Sequence, residues 1–281
     1  MSEQIDDIIR RALAEDAPWG DLTSEAFVPE GATASAALVA REEGVLSGAE
    51  VFARVFALVD PAIVVELGLD DGEPFAPGAV LARVDGRARA VLRAERIALN
   101  LVQRMSGIAT LTARYVAAID GTAARIVDTR KTTPGLRILE RQAVRDGGGH
   151  NHRFSLSDAV MAKDNHLAVL AAQGVSVGDA IRRARARLGH TVHLEVEVDR
   201  VDQIEEVVAA GVDTIMFDNF TPDELRQGVA IVAGRAIVEA SGGVNLDTVR
   251  AIAESGVDVI SVGALTHSVR SLDLGLDIAV A

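Results

Sequence analysis

The two lysines of this 281-residue chain mark the residues best suited to chemistry. Of the 28 basic side chains only Lys131 and Lys163 are lysines, and all the others are arginines. Lys131 lies in the segment DTRKTTPG and Lys163 in AVMAKDNH. A lysine ammonium is a compact point charge, whereas an arginine guanidinium is a broad fork that binds carboxylates and phosphates in a bidentate manner. Their combination in one stretch indicates a site for a small polyanion.

Positive charge is concentrated around these lysines. Residues 125–166 contain eight Lys or Arg against five acids, although the whole chain has a net charge of −13. A cationic cleft in an acidic protein concentrates small anionic ligands, while the overall negative charge argues against nucleic acid as a partner. As an alternative, Arg137, Arg141 and Arg145 are spaced by four residues and form only a solvated helix face.

Composition excludes several classes of function. With 49% hydrophobic and 3% aromatic residues, the chain can bury a core of small aliphatic side chains. It contains no cysteine, which excludes disulfides, thiolate catalysis and thiolate metal sites. No long uncharged apolar run and no signal-peptide pattern are present, so we expect a cytoplasmic protein without a membrane partner.

Two sequence patterns divide the chain near residue 110. The first part mixes helical and strand segments, as in IDDIIRRALAED and ATASAALVARE. From about residue 123, short Val- and Ile-rich runs alternate with helical segments that start at Asp, Thr or Asn and end at Gly. This alternation predicts parallel βαβ units, and six or seven of them predict an α/β barrel.

Acidic residues end two of the predicted barrel strands, on the rim where barrels hold their active sites. In LEVEV, Glu195 and Glu197 share one face of a strand. Glu197 is nearer the carboxyl end and is the better site candidate, whereas Glu195 is better suited to a structural ion pair. Glu197 and Asp218 would face each other from neighbouring strands, which suits Mg²⁺ or sugar hydroxyls. Alternatively, both carboxylates pair with the cationic residues and touch no ligand.

Glycine-rich segments follow other strands of the predicted barrel. ASGGVN and SVGALTH end the last two strands and could bring backbone N–H groups close to a phosphate. The glycine run of GGGHNHRF could likewise let backbone N–H groups approach a ligand. His267 would contact such a phosphate or cap the last loop, and His190 and His193 lie at a strand start and are expected to be structural. Nucleotide-binding loop patterns and zinc-ligand spacings are absent from the sequence.

The segment DTRKTTPGLRILERQAVRDGGGHNHRFSLSDAVMAKDNH resembles the quinolinate phosphoribosyltransferase family. The likeness extends from ALAEDAPWGDLTSEAF through ERIALNLVQRMSGIAT, EVEV, FDNF and SGG to VGALTHS. It implies an α/β fold with an N-terminal α/β sandwich domain in residues 1–110 and an incomplete parallel α/β barrel in residues 111–267. The tail 268–281 would return to the first domain, and the chain would act as a homodimer.

The resemblance also implies an activity and its residues. Members are pentosyltransferases that join quinolinate to 5-phosphoribosyl 1-pyrophosphate, releasing pyrophosphate and CO₂ and forming nicotinate mononucleotide in de novo NAD biosynthesis. Lys131, Lys163, Glu197 and Asp218 would be catalytic, and Mg²⁺ would bind Glu197 and Asp218 directly or through water. Arg96 would be donated across the dimer interface. The remaining residues expected to bind substrate are Thr129, Arg130, His152, Arg153, Ser241, Gly242, Gly243, Gly263 and His267.

Two other functions fit parts of the same pattern. Lys163 at the end of a barrel strand could form a Schiff base, as in a lyase or aldolase, although such a lysine needs a desolvated pocket. Alternatively, a non-catalytic barrel could sense a phosphorylated metabolite through its cations and glycines alone. Glu197 and Asp218 would be unnecessary in such a sensor, which distinguishes the two hypotheses.

Overall fold

The computed structural model describes residues 2–280 and divides into two compact units. Residues 1 and 281 lie outside this range. They are the first residue of the segment 1–110 and the last residue of the segment 268–281, which were both predicted to belong to the N-terminal domain. The first unit comprises Met1–Ala113, Thr132–Gly148 and Leu265–Ala281, and the second comprises Arg114–Lys131 and Gly149–Ala264. The sequence predicts that residues 132–148 belong to the barrel domain, whereas in the structure they pack with the first unit.

Helices and strands follow one another in an order that differs between the two parts of the chain. The elements up to residue 118 are α1 (Glu3–Asp16), α2 (Leu22–Phe27), β1 (Thr33–Ala40), β2 (Gly44–Val45), α3 (Ala49–Val59), β3 (Val64–Leu67), β4 (Pro74–Phe75), β5 (Val80–Arg87) and α4 (Ala88–Ala118). The later elements are β6 (Arg125–Val127), α5 (Arg137–Asp146), β7 (Val160–Ala162), α6 (Asp164–Ala171), α7 (Val177–Arg185), β8 (Leu194–Val198), a 3₁₀ turn (Val201–Gln203), α8 (Ile204–Ala209), β9 (Thr214–Asp218), α9 (Pro222–Val232), β10 (Ile237–Ser241), α10 (Val249–Ala253), β11 (Val259–Ser261), α11 (Ala264–His267) and β12 (Leu274–Val280).

The first unit is built on an antiparallel sheet with the strand order β12-β1-β5-β3. Strand β1 shows the two-residue period of a half-buried strand, because Ala34, Ala36, Leu38 and Ala40 are buried. The C-terminal strand β12 pairs antiparallel with β1 over seven residues. The chain therefore returns at its C-terminal end to the sheet that it begins near its N-terminus.

The second unit contains six parallel strands in the order β6-β11-β10-β9-β8-β7. Strands β7 to β11 are neighbours in the order in which the chain makes them, and β11 then pairs with the first strand, β6. This is the cyclic order of an α/β barrel, with β6 and β7 at its two open edges. The predicted class, an α/β fold with an N-terminal sandwich and an incomplete parallel barrel, is confirmed.

Apolar side chains hold the helices against this parallel sheet. Val196, Ile215, Phe217, Val238 and Ile260 are 0–3% exposed. The opposite face of the same strands carries Glu195, Glu197, Asp218 and Glu239 together with Met216. The polar face therefore lines the barrel interior, where a site can form. Within residues 2–280, no helix combines the length and apolar character needed to cross a bilayer.

A pair of partly buried carboxylates lies in the first unit. Ser47 donates its hydroxyl to Asp146 Oδ2 at 2.6 Å, and Asp71 accepts hydrogen bonds from the Ala49 amide at 2.8 Å and from Gln142 Nε2 at 3.1 Å. Burial raises the pKa of Asp146, and the nearby charge of Asp71 raises it further. Burial likewise raises the pKa of Asp71 above its ordinary value.

We predict that Asp146→Asn stabilises the protein at pH 7. A carboxyl whose folded pKa is raised stabilises the fold below its ordinary value of 3.8, and this contribution is lost as the pH rises through the raised pKa. Asparagine can still accept the Ser47 hydrogen bond and removes the repulsion from Asp71. Thermal unfolding should show a higher Tm than wild type at pH 7 and a difference that shrinks toward pH 4. Asp70→Asn, at an exposed carboxylate, is the matched control, and an equal shift there would contradict the explanation.

Candidate active site

A cavity of about 340 Å³ opens at the carboxyl ends of the parallel strands in the second unit. Nine of the residues predicted from the sequence line it: Thr129, Arg130, Lys131, His152, Arg153, Lys163, Glu197, Asp218 and Ser241. Four further lining residues were not predicted as site residues: Met161, Met216, Glu239 and Ser261. The cavity thus gathers side chains from strand ends that are far apart in sequence.

Strand register explains why these side chains share one cavity. Glu197 pairs with Met216 and Met216 pairs with Glu239, so three neighbouring strands place a residue at one level of the barrel. Asp218 pairs with Ser241 two residues nearer the carboxyl ends of the same two strands. Because side chains alternate between the two faces of a strand, residues two positions apart point into the same interior.

That two-residue period could have identified the four missed residues. Met161 lies two positions before Lys163, and Met216 two positions before Asp218. Glu239 and Ser261 likewise lie two positions before Ser241 and Gly263. Each missed residue is therefore the inner neighbour, on the same strand face, of a residue that the sequence had already indicated.

Lys163 and Glu197 form an ion pair inside the cavity. The ammonium Nζ donates to Glu197 Oε2, and the glutamate side chain is only 11% exposed. The lysine follows β7 and the glutamate belongs to β8, which are neighbouring strands. Because Glu197 engages the amine, the contact does not favour the alternative in which Lys163 attacks a carbonyl.

Asp128, fully buried at the end of β6, organises two cationic segments. Its Oδ1 accepts the backbone N–H of His152 and its Oδ2 accepts Asn151 Nδ2, both at 2.7 Å. Its own N–H donates to the carbonyl of His150 at 3.1 Å, so residues 150–152 run alongside β6. Since Thr129, Arg130 and Lys131 follow directly in the chain, this one carboxylate fixes both segments at the same end of the barrel.

His152 lies between two buried glutamates. Its Nε2 is 3.3 Å from Glu195 Oε2 and 3.4 Å from Glu239 Oε2, and each glutamate side chain is 4% exposed. Its Nδ1 accepts the backbone N–H of Arg153 at 2.7 Å. Both ring nitrogens are therefore engaged by protein atoms. The expected ion-pair role of Glu195 agrees with this contact, whereas substrate binding by His152 stays a prediction.

His152 and Glu195 together retain a proton. Burial lowers the pKa of His152, but the hydrogen bonds and charges of the two glutamates outweigh burial and raise it to about 10. A doubly protonated ring disagrees with the Nδ1 contact, because an accepting nitrogen carries no proton. Burial also raises the pKa of Glu195. We therefore assign the retained proton to the pair of His152 and Glu195, shared between the imidazole and the carboxyl group.

The side chains of His152, Glu195 and Glu239 could in principle hold a metal ion, because their ligand atoms all lie within 4.8 Å of one another. A histidine that binds a metal through Nε2 normally donates its Nδ1 proton to an acceptor. Here the Nδ1 of His152 accepts a backbone N–H instead. The hydrogen-bond pattern thus fits a shared proton better than a bound metal.

Two guanidinium groups give the cavity its excess positive charge. Burial lowers the pKa of Arg153, and the neighbouring charge of Arg130 lowers it further. Arg153 is held in place by its Nη1, which donates to the carbonyl of Ala159 at 2.8 Å. Two like charges in a partly buried cavity are stabilised by an anion, so this part of the site is suited to carboxylates or phosphates.

Gly242 and Gly243, which the sequence predicted as phosphate-binding residues, line a second cavity of about 310 Å³ in the same unit. Both have positive φ, at 82° and 63°. The remaining predicted residues line neither cavity. Gly263 follows β11 in the second unit, Arg96 is exposed on α4, and His267 is exposed with its Nδ1 2.6 Å from Ser268 Oγ. Arg96 and His267 belong to the first unit.

The fold and the cavities define an α/β-barrel protein whose site suits a small, highly charged ligand. Residues 108–277 match the C-terminal domain of the quinolinate phosphoribosyl transferases, and residues 21–106 match their N-terminal domain. The chain belongs to this family.

Full-length relatives agree with this assignment. The chain is 43% identical to a probable nicotinate-nucleotide pyrophosphorylase (carboxylating) of Bacillus subtilis, covering 99% of this chain and 94% of the relative. It is 44% identical to the nicotinate-nucleotide pyrophosphorylase (carboxylating) of Mycobacterium leprae, covering 97% and 96%. The crystal structure of NadC from Streptococcus pyogenes is similar with a TM-score of 0.94 at 42% identity, covering 99% of this chain and 97% of that one.

We predict that Asp128→Ala destabilises the protein by about 3 kcal/mol, because two partly buried donors would lose their buried acceptor. Asp128→Asn is the matched comparison: its carbonyl can accept the His152 N–H, and the Asn151 amide can turn to pair with its NH₂ group. It should therefore cost markedly less. Urea denaturation of the two variants measures the difference, and equal losses would show that the hydrogen bonds of Asp128 do not organise these segments.

Proposed function

We propose that this chain transfers the phosphoribosyl group of 5-phosphoribosyl 1-pyrophosphate to quinolinate and decarboxylates the product. The bond from the ribose C1 to pyrophosphate breaks, and the ring nitrogen of quinolinate takes its place. The bond to the 2-carboxylate then breaks, CO₂ leaves, and the electron pair at C2 takes up a proton. The products are nicotinate mononucleotide, pyrophosphate and CO₂, as de novo NAD biosynthesis requires.

One observation supports this proposal above others: the cavity brings four cations together with the carboxylates of Glu197 and Asp218, in addition to the Glu239 carboxylate that contacts His152. Arg130, Lys131, Arg153 and Lys163 line it with Glu197 and Asp218. A site that binds only a dicarboxylate would need cations but not the two carboxylates of Glu197 and Asp218. A site that binds only a sugar would not need so many cations. The reaction needs both, because its acceptor and leaving group are anions and its sugar becomes positively charged.

We assign the guanidinium groups to the acceptor. Arg130 and Arg153 present planar forks that match carboxylate groups in a bidentate manner. Burial and, after it, the repulsion from Arg130 lower the pKa of Arg153, and a bound dianion would relieve this repulsion. Held in this way beside cations, the 2-carboxylate is positioned for loss as CO₂ once the ring nitrogen has become positive.

We assign the lysines to the leaving group. Lys131 and Lys163 are point charges that can approach the pyrophosphate oxygens and stabilise the negative charge that develops on them. Lys163 already contacts Glu197, so the cation for the leaving group and the carboxylate for the ribose are neighbours. The two ends of the breaking bond would thus be stabilised by groups of opposite charge.

The acidic pair fits the ribose and a magnesium ion. Glu197 and Asp218 lie at the ends of neighbouring parallel strands and line one cavity. Mg²⁺ in proteins takes one or two carboxylates and completes its shell with water and substrate phosphates, so this donor set suits it. When bound, the ion would neutralise charge on the pyrophosphate. The carboxylates themselves would orient the ribose hydroxyls and stabilise positive charge at C1.

We further propose that the chain acts as a homodimer in which Arg96 completes the partner's site. Arg96 is exposed on α4. In the same unit Trp19, Leu22 and Phe27 are 91%, 77% and 84% exposed, and large exposed apolar side chains favour a protein interface. Analytical ultracentrifugation would test the dimer. The cytoplasmic location expected from the sequence stays a prediction.

A turnover assay tests the proposed reaction. Purified protein is incubated with quinolinate, 5-phosphoribosyl 1-pyrophosphate and Mg²⁺, and CO₂ and mononucleotide are measured, with nicotinate as the competing acceptor and a chelator as the metal control. We expect equal yields of the two products from quinolinate alone. Turnover of nicotinate without release of CO₂ would show that the protein uses an acceptor other than quinolinate. If neither quinolinate nor nicotinate were turned over, the sensor hypothesis would be favoured.

Lys131→Ala and Lys163→Ala should each cost roughly 2 to 4 kcal/mol of transition-state stabilisation, as for the loss of one preorganised electrostatic donor. The loss should appear in kcat/KM. Arg187→Ala removes an exposed cation of the same unit outside the cavity and serves as the control. Near-unchanged kcat/KM in either lysine variant would remove that lysine from the mechanism.

A further inference from the structure

Asn219 has an unusual backbone conformation beside the acidic pair. Its φ is 61°, and among the described residues Ala233 is the only other non-glycine residue with positive φ. Side chains other than glycine adopt this left-handed conformation at a cost, and asparagine tolerates it better than most. Such residues concentrate at functional sites when the surrounding contacts hold them in place.

Two hydrogen bonds link Asn219 to the ends of strands β9 and β10. Its Nδ2 donates to Asp218 Oδ2 at 2.8 Å, which is the one hydrogen bond to that carboxylate within residues 2–280. Its backbone N–H donates to the carbonyl of Ser241 at 2.9 Å and continues the pairing of Asp218 with Ser241. The left-handed turn therefore folds the amide back onto the carboxylate of the preceding residue.

The same amide packs against the glycine turn that follows β10. A Cβ at Gly242 would lie 2.2 Å from Asn219 Oδ1 and 2.9 Å from its backbone nitrogen, so the position has no room for a side chain. Asn219 thus contacts Asp218 on one side and the backbone of Ser241 and Gly242 on the other. Asp218 belongs to the part of the site assigned to the phosphoribosyl donor, and Gly242 is predicted from the sequence to bind a phosphate.

We propose that Asn219 is a positioning residue that fixes the Asp218 carboxylate relative to the turn at Ser241, Gly242 and Gly243. This inference rests on the proposed function and deepens it. It assigns to Asn219 the spacing between the carboxylate proposed to orient the ribose and the glycine turn that the sequence predicts to bind a phosphate. Asn219 acts through Asp218 and so affects binding of the donor, not binding of quinolinate.

Two substitutions separate the backbone role of Asn219 from its side-chain role. Asn219→Gly keeps the left-handed backbone without strain but removes the amide. Asn219→Asp keeps the shape and also tolerates this conformation, but it replaces the donor with a carboxylate that repels Asp218. Ala233→Gly is the matched control, because it relaxes the other left-handed residue, at the end of α9, outside both cavities.

The experiment measures the KM of each substrate and kcat, together with calorimetric binding of 5-phosphoribosyl 1-pyrophosphate and Mg²⁺ in the absence of quinolinate. For Asn219→Gly we expect about a ten-fold rise in KM and Kd for the donor, as for loss of a hydrogen bond to a charged group, with the KM for quinolinate unchanged. Asn219→Asp should show a larger rise, and Ala233→Gly should match wild type.

The outcomes separate this inference from the proposed function. An active wild type whose donor KM and Kd are the same in Asn219→Gly would overturn the positioning role alone. A rise in both substrate KM values together with a lowered Tm would also overturn it, because that pattern indicates general loosening of the barrel. A wild type that turns over neither acceptor would overturn the proposed function and this inference with it.

Discussion

Charges buried inside a barrel must be compensated by other protein groups, and the second unit depends on this requirement. Parallel strands usually bury apolar side chains on both faces, yet the interior face here carries Glu195, Glu197 and Glu239. Lys163 forms an ion pair with Glu197, and the imidazole of His152 lies between the carboxylates of the other two glutamates. Without these contacts the barrel interior could not hold so many carboxylates, and the cavity would lose the acidic residues that line it.

The site has a cationic half, which contains Arg130 and Arg153, and an acidic half, which contains Glu197 and Asp218. Asp128 holds the two cationic segments at the same end of the barrel, where Arg130 and Arg153 lie close enough to repel each other. The acidic half lies on the adjoining strand ends, with Glu197 and Asp218. A reaction that separates a negative leaving group from a positive sugar benefits from such an arrangement, because the stabilising charges are in place before the bond breaks.

Much of this architecture could be predicted from the sequence, because alternating strands and helices and polar residues at strand ends are local patterns. The resemblance in the segment from Asp128 to His166 supplied the expected function. The contacts of the stretch 132–148 were not predictable in this way, since a helix period does not indicate which unit a helix packs against. The shared proton at His152 also required the structure, because Glu195 and Glu239 come from separate strands and only the register brings them to one imidazole.

The central claim, that Arg130 and Arg153 bind the acceptor whereas Glu197 and Asp218 bind the donor, is tested most directly by a crossed measurement of substrate affinity. The KM for quinolinate and for 5-phosphoribosyl 1-pyrophosphate would be compared in Arg130→Ala and Asp218→Asn. The account predicts a rise of about ten-fold or more in the KM for quinolinate only in the arginine variant, and in the KM for the donor only in the aspartate variant. Equal effects on both substrates, or effects on the opposite substrates, would contradict it.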